Sequence, residues 1–363
     1  MKIFLCGDVM TGRGVDQALP HPCSPVLHER FVDSAIDYLR LAEQANGPVP
    51  RPADFAYVWG LAVDEWLSAR PHARIVNLET SITHSDAFEP KGINYRMSPE
   101  NAACLTAAGL DCCVLANNHV LDWGSAGLID TLDALERLRI KTAGAGRNLA
   151  EAKAPATIDI PDEGRLLVLA LASETSGVPR HWAADAGKAG VNLPSSLSET
   201  TVGSIVEELA EIRRPRDVVV VSIHWGPNWG YPIPKDQRRF AHALIEEAGV
   251  SIVHGHSSHH AKAIEVYRER LILYGCGDFL NDYEGIAGYE EFRGDLTLMY
   301  FADVDTADGR LRALDITPLK IRRVQLSRPS QTDVDWLRRT LDRESAPFAT
   351  RVAAAPGGRL TVS

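Results

Sequence analysis

The sequence predicts an α/β protein, and three observations lead to this fold class. Short apolar runs typical of buried strands alternate with segments of helical periodicity over most of the 363 residues. The run at residues 166–171 is apolar throughout, as expected for a strand covered on both faces. Several apolar runs end in an acidic, amide or imidazole side chain, at the position where α/β sheets carry their active sites.

The predicted strands share one pattern along the chain. Each is a short run dominated by apolar residues, bounded by glycine or polar residues. They cover residues 3–5, 74–76, 112–115, 166–171, 217–223, 252–253, 271–274, 296–301 and 313–321.

Helix signals lie between these strands. Ser98 as an N-cap and Pro99 at the first helical position predict a helix that ends near Gly109. Ser125 is predicted to cap the next helix. Further helices are predicted over residues 202–212 and 236–248. The tail after about residue 347 is rich in alanine and glycine and is predicted to be poorly ordered.

The composition is that of an ordinary globular protein, with 45% hydrophobic and 24% charged residues. It excludes a disordered chain, a collagen-like fibre and a coiled coil. The net charge of -10 comes without a basic stripe, so no nucleic-acid partner is expected. The apolar start is too short for a signal peptide, and no stretch reaches the ~20 apolar residues of a membrane span. We therefore expect a cytoplasmic protein with no membrane partner, and the sequence leaves its oligomeric state open.

Five segments place a potential metal ligand at the end of an apolar run. Taken singly, each residue has a structural explanation, such as a helix cap, a turn or a buried histidine. Taken together, carboxylate, amide and imidazole groups on five strand ends predict a site for a divalent cation. The residues are Asp8, Glu79, Asn118 with His119, His224, and His254 with His256.

The residues in and around these segments resemble the sequence motifs of a known family. The matching stretches are Gly7-Asp8-Val9-Met10, Asn77-Leu78-Glu79, Ala116-Asn117-Asn118-His119, His224-Trp225-Gly226, His254-Gly255-His256 and Gly275-Cys276-Gly277-Asp278-Phe279. They look like the CapA family, which is named for a poly-γ-glutamate capsule protein and has the calcineurin-like metallophosphoesterase fold. The resemblance runs from residue 2 to about residue 320.

The resemblance implies a four-layer α/β/β/α sandwich. It implies one catalytic domain over residues 1–330, followed by a C-terminal helix and tail over 331–363. It also implies a ligand set for one or two divalent ions, among Mn, Fe, Co, Ni, Zn and Ca. Asp8, Glu79 and His256 would serve one ion. Glu79, Asn118, His224 and His254 would serve the other, with His119 as the acid/base residue.

Two departures from the family pattern bear on the reaction. Phosphoesterases of this fold usually carry Asp-x-His after the first strand, whereas this chain has Asp8-Val9-Met10. Ser257-Ser258 stands where the family usually has a His-Pro pair. Both departures disfavour phosphoester hydrolysis. Aromatic residues after His224 would suit a peptide substrate, or would pack against the sheet edge.

The function predicted first is a metal-dependent peptide epimerase, resembling the members of this family that act in lasso-peptide biosynthesis. Inversion of an α-carbon needs one group to remove the proton and another to return it from the opposite face. The candidates are His119, His259 and Asp295, and the partner would be a peptide substrate.

Two alternatives remain open. One is a metal-dependent hydrolase of phosphoester or amide bonds. The other is a CapA-like protein of poly-γ-glutamate or capsule biosynthesis that does no chemistry. Lys91 and Arg96 could meet a substrate carboxylate, although solvation of the surface explains both.

Overall fold

The computed structural model describes all 363 residues as an α/β protein with twenty strands. The strands are β1 (Lys2–Val9), β2 (Ala73–Leu78), β3 (Ser81–Ile82), β4 (Arg96–Met97), β5 (Cys112–Val114), β6 (Lys141–Ala143), β7 (Ala145–Gly146), β8 (Ala156–Ile160), β9 (Gly164–Ala172), β10 (Gly190–Val191), β11 (Val218–His224), β12 (Ile252–His256), β13 (Ile264–Tyr267), β14 (Arg270–Leu273), β15 (Asp278–Leu280), β16 (Leu296–Val304), β17 (Leu311–Ile321), β18 (Leu326–Ser327), β19 (Val352–Ala355) and β20 (Arg359–Val362).

Nine α-helices connect or cover the strands. They are α1 (Gly14–Ala18), α2 (Ile36–Asn46), α3 (Leu61–Ala69), α4 (Ala103–Ala107), α5 (Gly124–Arg137), α6 (Leu149–Lys153), α7 (Glu199–Ile212), α8 (Lys235–Glu246) and α9 (Gln331–Ser345). No helix combines the length and the apolar character that crossing a lipid bilayer requires.

Two large sheets form the centre of the molecule. The first has ten strands, with the main order β19-β20-β17-β16-β1-β2-β5-β6, and β15 pairs with β1. The second has six strands in the order β13-β14-β12-β11-β9-β8. Strands β1, β2, β5 and β6 are parallel to one another, and so are β9, β11, β12 and β14. The polar residues that follow each apolar run therefore lie together at the carboxyl ends of these strands.

Side-chain alternation explains why the second sheet is covered on both faces. In β9, Leu166 and Val168 belong to the large core shared with the first sheet. The intervening Leu167 and Leu169 belong to a second core, built with helices α7 and α8. Successive strand residues point to opposite faces, so an uninterrupted apolar run serves both cores.

Helices also cover the outer face of the first sheet. Trp66 of α3 packs edge-on against Phe4 of β1, with ring centroids 5.3 Å apart. Helix α5 adds buried Leu128 and Leu135 to the same core. The layers are thus helix, sheet, sheet and helix, which confirms the four-layer α/β/β/α sandwich.

The predicted elements agree with the structure except at two places. Ser98 caps a 3-10 turn that leads into α4 as predicted, but α5 begins at Gly124, so Ser125 lies inside its first turn. The prediction of a poorly ordered tail is wrong, because β19 and β20 form a hairpin that extends the ten-stranded sheet. Buried Val352 and Leu360 hold this hairpin in the core. The division of the chain at residue 330 stays a prediction.

The first strand carries an irregularity just before the site. The register between β1 and β2 shifts between Leu5 and Asp8. At this point a Cβ on Gly7 would lie 1.5 Å from the carbonyl oxygen of Gly277. Only glycine permits so close an approach of two backbones. The contact sets Asp8 beside Asp278, the residue that opens β15.

Candidate functional site

A buried polar cluster lies where the two sheets meet at their strand ends. We call five residues the central cluster: Asp8, Glu79, Asn118, His224 and His256. Asp8 lies near the end of β1, Glu79 directly follows β2, and Asn118 lies in the turn after β5. His224 and His256 end the neighbouring strands β11 and β12, directly opposite each other in register. Four of the five side chains are buried, and Asn118 is partly exposed.

The two carboxylates of the cluster lack a fixed cation. Asp8 accepts hydrogen bonds from the Asn77 amide at 2.7 Å and from the Ser257 backbone N–H at 3.2 Å. One oxygen of Glu79 is buried without any hydrogen-bond partner. Burial, together with Asp278, raises the pKa of Asp8. Burial, together with Asp8, raises the pKa of Glu79 well above its usual value. Buried, mutually repelling carboxylates are characteristic of cation sites and functional centres.

The two imidazole rings of the cluster also lie close to each other. His224 Nδ1 lies 2.8 Å from His256 Nδ1, and His224 Nε2 lies 3.0 Å from the side-chain oxygen of Asn118. Burial lowers the pKa of both histidines well below the usual value, so both are neutral near pH 7. Neutral imidazole nitrogens are the form that binds metals.

The donor set fits a divalent cation. Ligand atoms of Asp8, His224 and His256 all lie within 4.8 Å of one another. A cation there would be shared by a carboxylate and two imidazole nitrogens, the combination that suits Zn, Mn or Fe. Glu79 adjoins this group, since its Oε1 lies 3.8 Å from His224 Nε2. The orphaned oxygen of Glu79 supplies a further acceptor.

His254 lies next to the cluster, but its ring is engaged elsewhere. Its Nε2 lies 2.7 Å from the carbonyl oxygen of Cys6, and its Nδ1 lies 3.0 Å from the Ser222 hydroxyl. A nitrogen that donates to a carbonyl has no lone pair for a metal. The Nε2 contact favours a structural role for His254, joining β12 to β1, and its assignment as a metal ligand stays a prediction.

His119 is held at the edge of the cluster by an acidic partner. Its Nδ1 lies 2.6 Å from Asp122 Oδ2, and its Nε2 lies 3.8 Å from Glu79 Oε1. Burial lowers the pKa of His119 to about 4, although Asp122 opposes this effect. The neutral ring carries its proton on Nδ1, because Asp122 can only accept, and this leaves the Nε2 lone pair facing the cluster.

His259 forms a second histidine–aspartate pair. Its Nδ1 lies 2.8 Å from Asp278 Oδ1, and Asn281 donates to Asp278 Oδ2 at 2.7 Å. Burial alone would lower the pKa of His259, but Asp278 outweighs it and raises the pKa above its usual value. Asp278 belongs to the motif Gly275-Cys276-Gly277-Asp278-Phe279, but no role was predicted for it from the sequence. Its position at the start of an apolar strand was the available signal.

Asp295 does not join the cluster, which corrects its assignment as an acid/base candidate. Its carboxylate binds Arg293 at 2.8 Å and Lys320 at 3.0 Å. Burial would raise the pKa of Asp295, but hydrogen bonds from these two cations outweigh it and lower the pKa. A carboxylate stabilised in this way is a poor proton donor. Its neighbours tie the start of β16 to Asp333 at the beginning of α9.

The aromatic residues after His224 divide into two groups. Trp225 is buried, and its indole N–H donates to the Tyr274 carbonyl at 2.9 Å, so it belongs to the core. Trp229 stacks on the half-exposed Tyr289 at 4.2 Å between ring centroids. The Trp229 ring also lies 5.3 Å from that of His259. Trp229 and Tyr289 therefore form an aromatic wall on the His259 side.

Lys91 lies at the edge of the site; from the sequence it could either meet a substrate carboxylate or solvate the surface. Its ammonium lies 2.6 Å from Asp122 Oδ1 and donates to the carbonyl of Asn118. It therefore lies against the turn that carries Asn118 and His119. Lys91 is in an irregular segment between β3 and β4, where no periodic pattern marks its position. Arg96 instead binds the exposed Asp86.

Comparisons with known proteins identify the family to which this chain belongs. The family described as bacterial capsule synthesis protein PGA_cap matches residues 2–283. A probable polyglutamine synthesis accessory protein of Mycobacterium tuberculosis is 45% identical over 364 residues, which covers 100% of this chain and 96% of that protein. The PGA biosynthesis protein CapA of Bacillus subtilis is 26% identical, which covers 98% of this chain and 80% of that protein.

Among solved structures, a phosphatase of Mycoplasma pneumoniae matches with a TM-score of 0.47 and 11% identity, covering 91% of this chain and 95% of that one. The family match spans most of the 363 residues, and the Mycobacterium tuberculosis relative aligns over the whole chain. The resemblance to CapA found in the sequence motifs is thereby confirmed, and the chain belongs to the bacterial capsule synthesis protein family PGA_cap.

Proposed function

We propose that this chain is a divalent-metal-dependent hydrolase that cleaves amide bonds of a polyglutamate-type polymer, as an accessory activity of polymer synthesis. The polymer is suggested by the names of the relatives, which refer to polyglutamine synthesis and to PGA biosynthesis. The hydrolytic chemistry is suggested by the central cluster. The observation that carries the proposal is the buried Asp8–Glu79 carboxylate pair, which faces two neutral histidines and has no lysine or arginine bound to it.

The first part of the proposal is the ligand set. Asp8, His224 and His256 would hold one ion, with Glu79 and Asn118 completing the donors around it. Compared with the set implied by the family resemblance, His254 is absent. A divalent ion bound here would supply a Lewis acid that polarises a carbonyl and lowers the pKa of water.

The second part is proton transfer by this chain's own residues. Asp122 fixes the Nδ1–H tautomer of His119 and aims its Nε2 lone pair at the cluster. This nitrogen is placed to take a proton and pass it to the departing amine. His259, oriented by Asp278, would occupy the side that carries the Trp229 wall. Both histidines were acid/base candidates on sequence grounds, and both keep that role as proposals.

The test is metal-loaded hydrolysis. The protein is stripped with a chelator, reloaded with Mn²⁺ or Zn²⁺, and incubated with poly-γ-glutamate or poly-γ-glutamine, and new amino termini are counted. We expect cleavage that depends on the added metal and falls by at least about 100-fold in His224→Ala, in line with the loss of a metal ligand. Asp295→Asn is the matched control and should retain activity. Absence of cleavage by well-folded, metal-loaded protein on both polymers would reject the hydrolase.

The peptide epimerase favoured by the sequence analysis is kept as a second candidate, because two histidine–aspartate pairs adjoin the cluster. His119 with Asp122 and His259 with Asp278 would provide the two proton-transfer groups that inversion needs. No relative carries a name that refers to this chemistry. The same incubation in heavy water separates the two reactions. Deuterium at an α-carbon of uncleaved substrate would replace the hydrolase by the epimerase.

A further inference from the structure

Lys91 offers a hydrogen-bond donor to the site that the protein itself does not use. An ammonium group has three N–H donors. One is directed to the carbonyl oxygen of Asn118. The ammonium also forms an ion pair with Asp122 Oδ1 at 2.6 Å, but this oxygen receives no hydrogen bond. The nearby Nδ1 of His119, at 3.2 Å, cannot accept another N–H, because that nitrogen donates to Asp122 Oδ2. At least one N–H of Lys91 therefore has no acceptor among the protein's contacts.

The Lys91 side chain is also accessible from solvent. It retains 24% of its side-chain exposure, whereas Asp122 below it is fully buried. The ammonium lies 5.0 Å from the centroid of the Trp182 ring, a separation at which the ring face stabilises the cation. The indole nitrogen of Trp182 is itself buried without an acceptor. A half-satisfied cation at the edge of a buried site is a typical anchor for an oxyanion.

Lys91 is the one lysine or arginine that binds a residue around the central cluster. The nitrogen groups within 4 Å of the carboxylates of Asp8, Glu79 and Asp278 are histidine rings, and Asp122 is paired with Lys91 and His119. Arg13, the other buried cation nearby, forms ion pairs with Asp282 and Glu29. An anionic group that approaches the cluster therefore finds one fixed positive side chain with a donor to spare.

We propose that Lys91 binds a substrate carboxylate and thereby makes the site specific for anionic polymers over neutral ones. This inference rests on the proposed function, and it names the substrate class that the site accepts: an amide that carries a carboxylate near the scissile bond, as in a glutamyl chain. A phosphate would satisfy the same donor, so the experiment includes both oxyanions.

The first test is binding, which does not depend on turnover. Oligo-γ-glutamate, its neutral amidated counterpart and inorganic phosphate are titrated into metal-free and metal-loaded protein by calorimetry. We expect the acidic oligomer to bind at least about tenfold more tightly than the neutral one, as for a charge-assisted hydrogen bond. Lys91→Gln, which keeps a donor but removes the charge, should abolish this preference in both forms of the protein, and Lys91→Arg should restore it. Phosphate that competes equally with the acidic oligomer would widen the class to oxyanions and overturn the assignment to carboxylates.

The second test separates binding from positioning of His119. In hydrolysis assays, Lys91→Gln should raise KM for the acidic polymer at least about tenfold and change KM for the neutral polymer less than about twofold. Equal losses on both polymers, or a fall in kcat alone, would show that Lys91 acts through Asp122 and His119 and would overturn the proposal. Lys91→Met serves as a second uncharged variant if the glutamine variant does not fold. If wild-type protein binds the acidic oligomer selectively but cleaves nothing, the hydrolase fails and the binding role of Lys91 stands. If it binds neither oligomer, the role of Lys91 is rejected.

Discussion

Asp8 and Asp278 lie directly opposite each other on the parallel strands β1 and β15, and both side chains are buried. Asp278 is paired with His259 at 2.8 Å, whereas Asp8 receives hydrogen bonds from Asn77 and Ser257 and lies 3.7 Å from the neutral His256 ring. The close backbone contact between Gly7 and Gly277 forces this arrangement. We expect two buried carboxylates this close together to weaken the metal-free protein and to favour a bound cation.

The first prediction concerns the metal-free state. Asp8→Asn removes one of two repelling buried charges and should raise the free energy of unfolding of chelator-treated protein by about 1–2 kcal/mol. Mn²⁺ or Zn²⁺ at about 100 times its dissociation constant should stabilise the wild type by about 2.7 kcal/mol and the variant much less. Urea denaturation with and without metal measures both effects. A variant that is less stable without metal and equally responsive to it would contradict this account.

The second prediction separates two histidines of one strand. His256→Gln should lose bound metal, because His256 belongs to the group with Asp8 and His224. His254→Gln should keep the metal and lose about 1–3 kcal/mol of stability, because it breaks the contact with the Cys6 carbonyl. Elemental analysis of the purified variants gives the metal content, and urea denaturation gives the stability. The reverse pattern would restore His254 as the ligand.

The third prediction concerns the C-terminal hairpin. Leu360 is fully buried on β20, which pairs with β17 at the edge of the ten-stranded sheet. Leu360→Ala should therefore lower the free energy of unfolding by about 2–4 kcal/mol. Ala354→Ser, at an exposed position of β19, is the control and should have little effect. If thermal and urea denaturation show no difference between the two variants, the hairpin does not contribute to the core.

The fourth prediction is a pH dependence away from the site. Burial opposes ionisation of Asp333, but hydrogen bonds from Arg293 and Ser330 outweigh it and lower its pKa to about 2, from an ordinary value of 3.8. A lowered pKa means that Asp333 stabilises the fold above pH 4, and this contribution is lost as the pH falls towards 2. Asp333→Asn should cost about 1–3 kcal/mol at pH 7 and less as the pH drops below 4. Asp335→Asn, on the same helix without an ion pair, should show no such trend.

The strands could be predicted well from the sequence, because buried parallel strands consist of uninterrupted apolar runs such as residues 166–171. It also placed Asp8, Glu79, Asn118, His224 and His256 together, because all five follow such runs. The sequence could not show that the contacts of His254 and His256 differ. Both lie on one face of β12, and what separates them is the approach of a carbonyl oxygen from another sheet.

Other errors have a similar cause. Asp295 was assigned to the site because it precedes a strand. Its carboxylate instead forms ion pairs with the neighbouring Arg293 and with Lys320, which is distant in sequence. Lys91 lies in a segment without periodicity, so nothing local marks it as part of the site. The tail was misjudged because alanine and glycine are weak strand formers, and β19 and β20 are ordered by pairing with each other and with β17.

The position of β1 in the sheet also bears on the order in which the strands pair during folding. Residues 2–9 are synthesised well before β15 and β16, the strands that pair with β1 and that end at Leu280 and Val304. Loops of such length close slowly, so we expect the pairing of β1 with β15 and β16 to form later than its pairing with β2. The pairing that sets Asp8 beside Asp278 is therefore completed late, and a nascent chain that stalls before residue 278 lacks it.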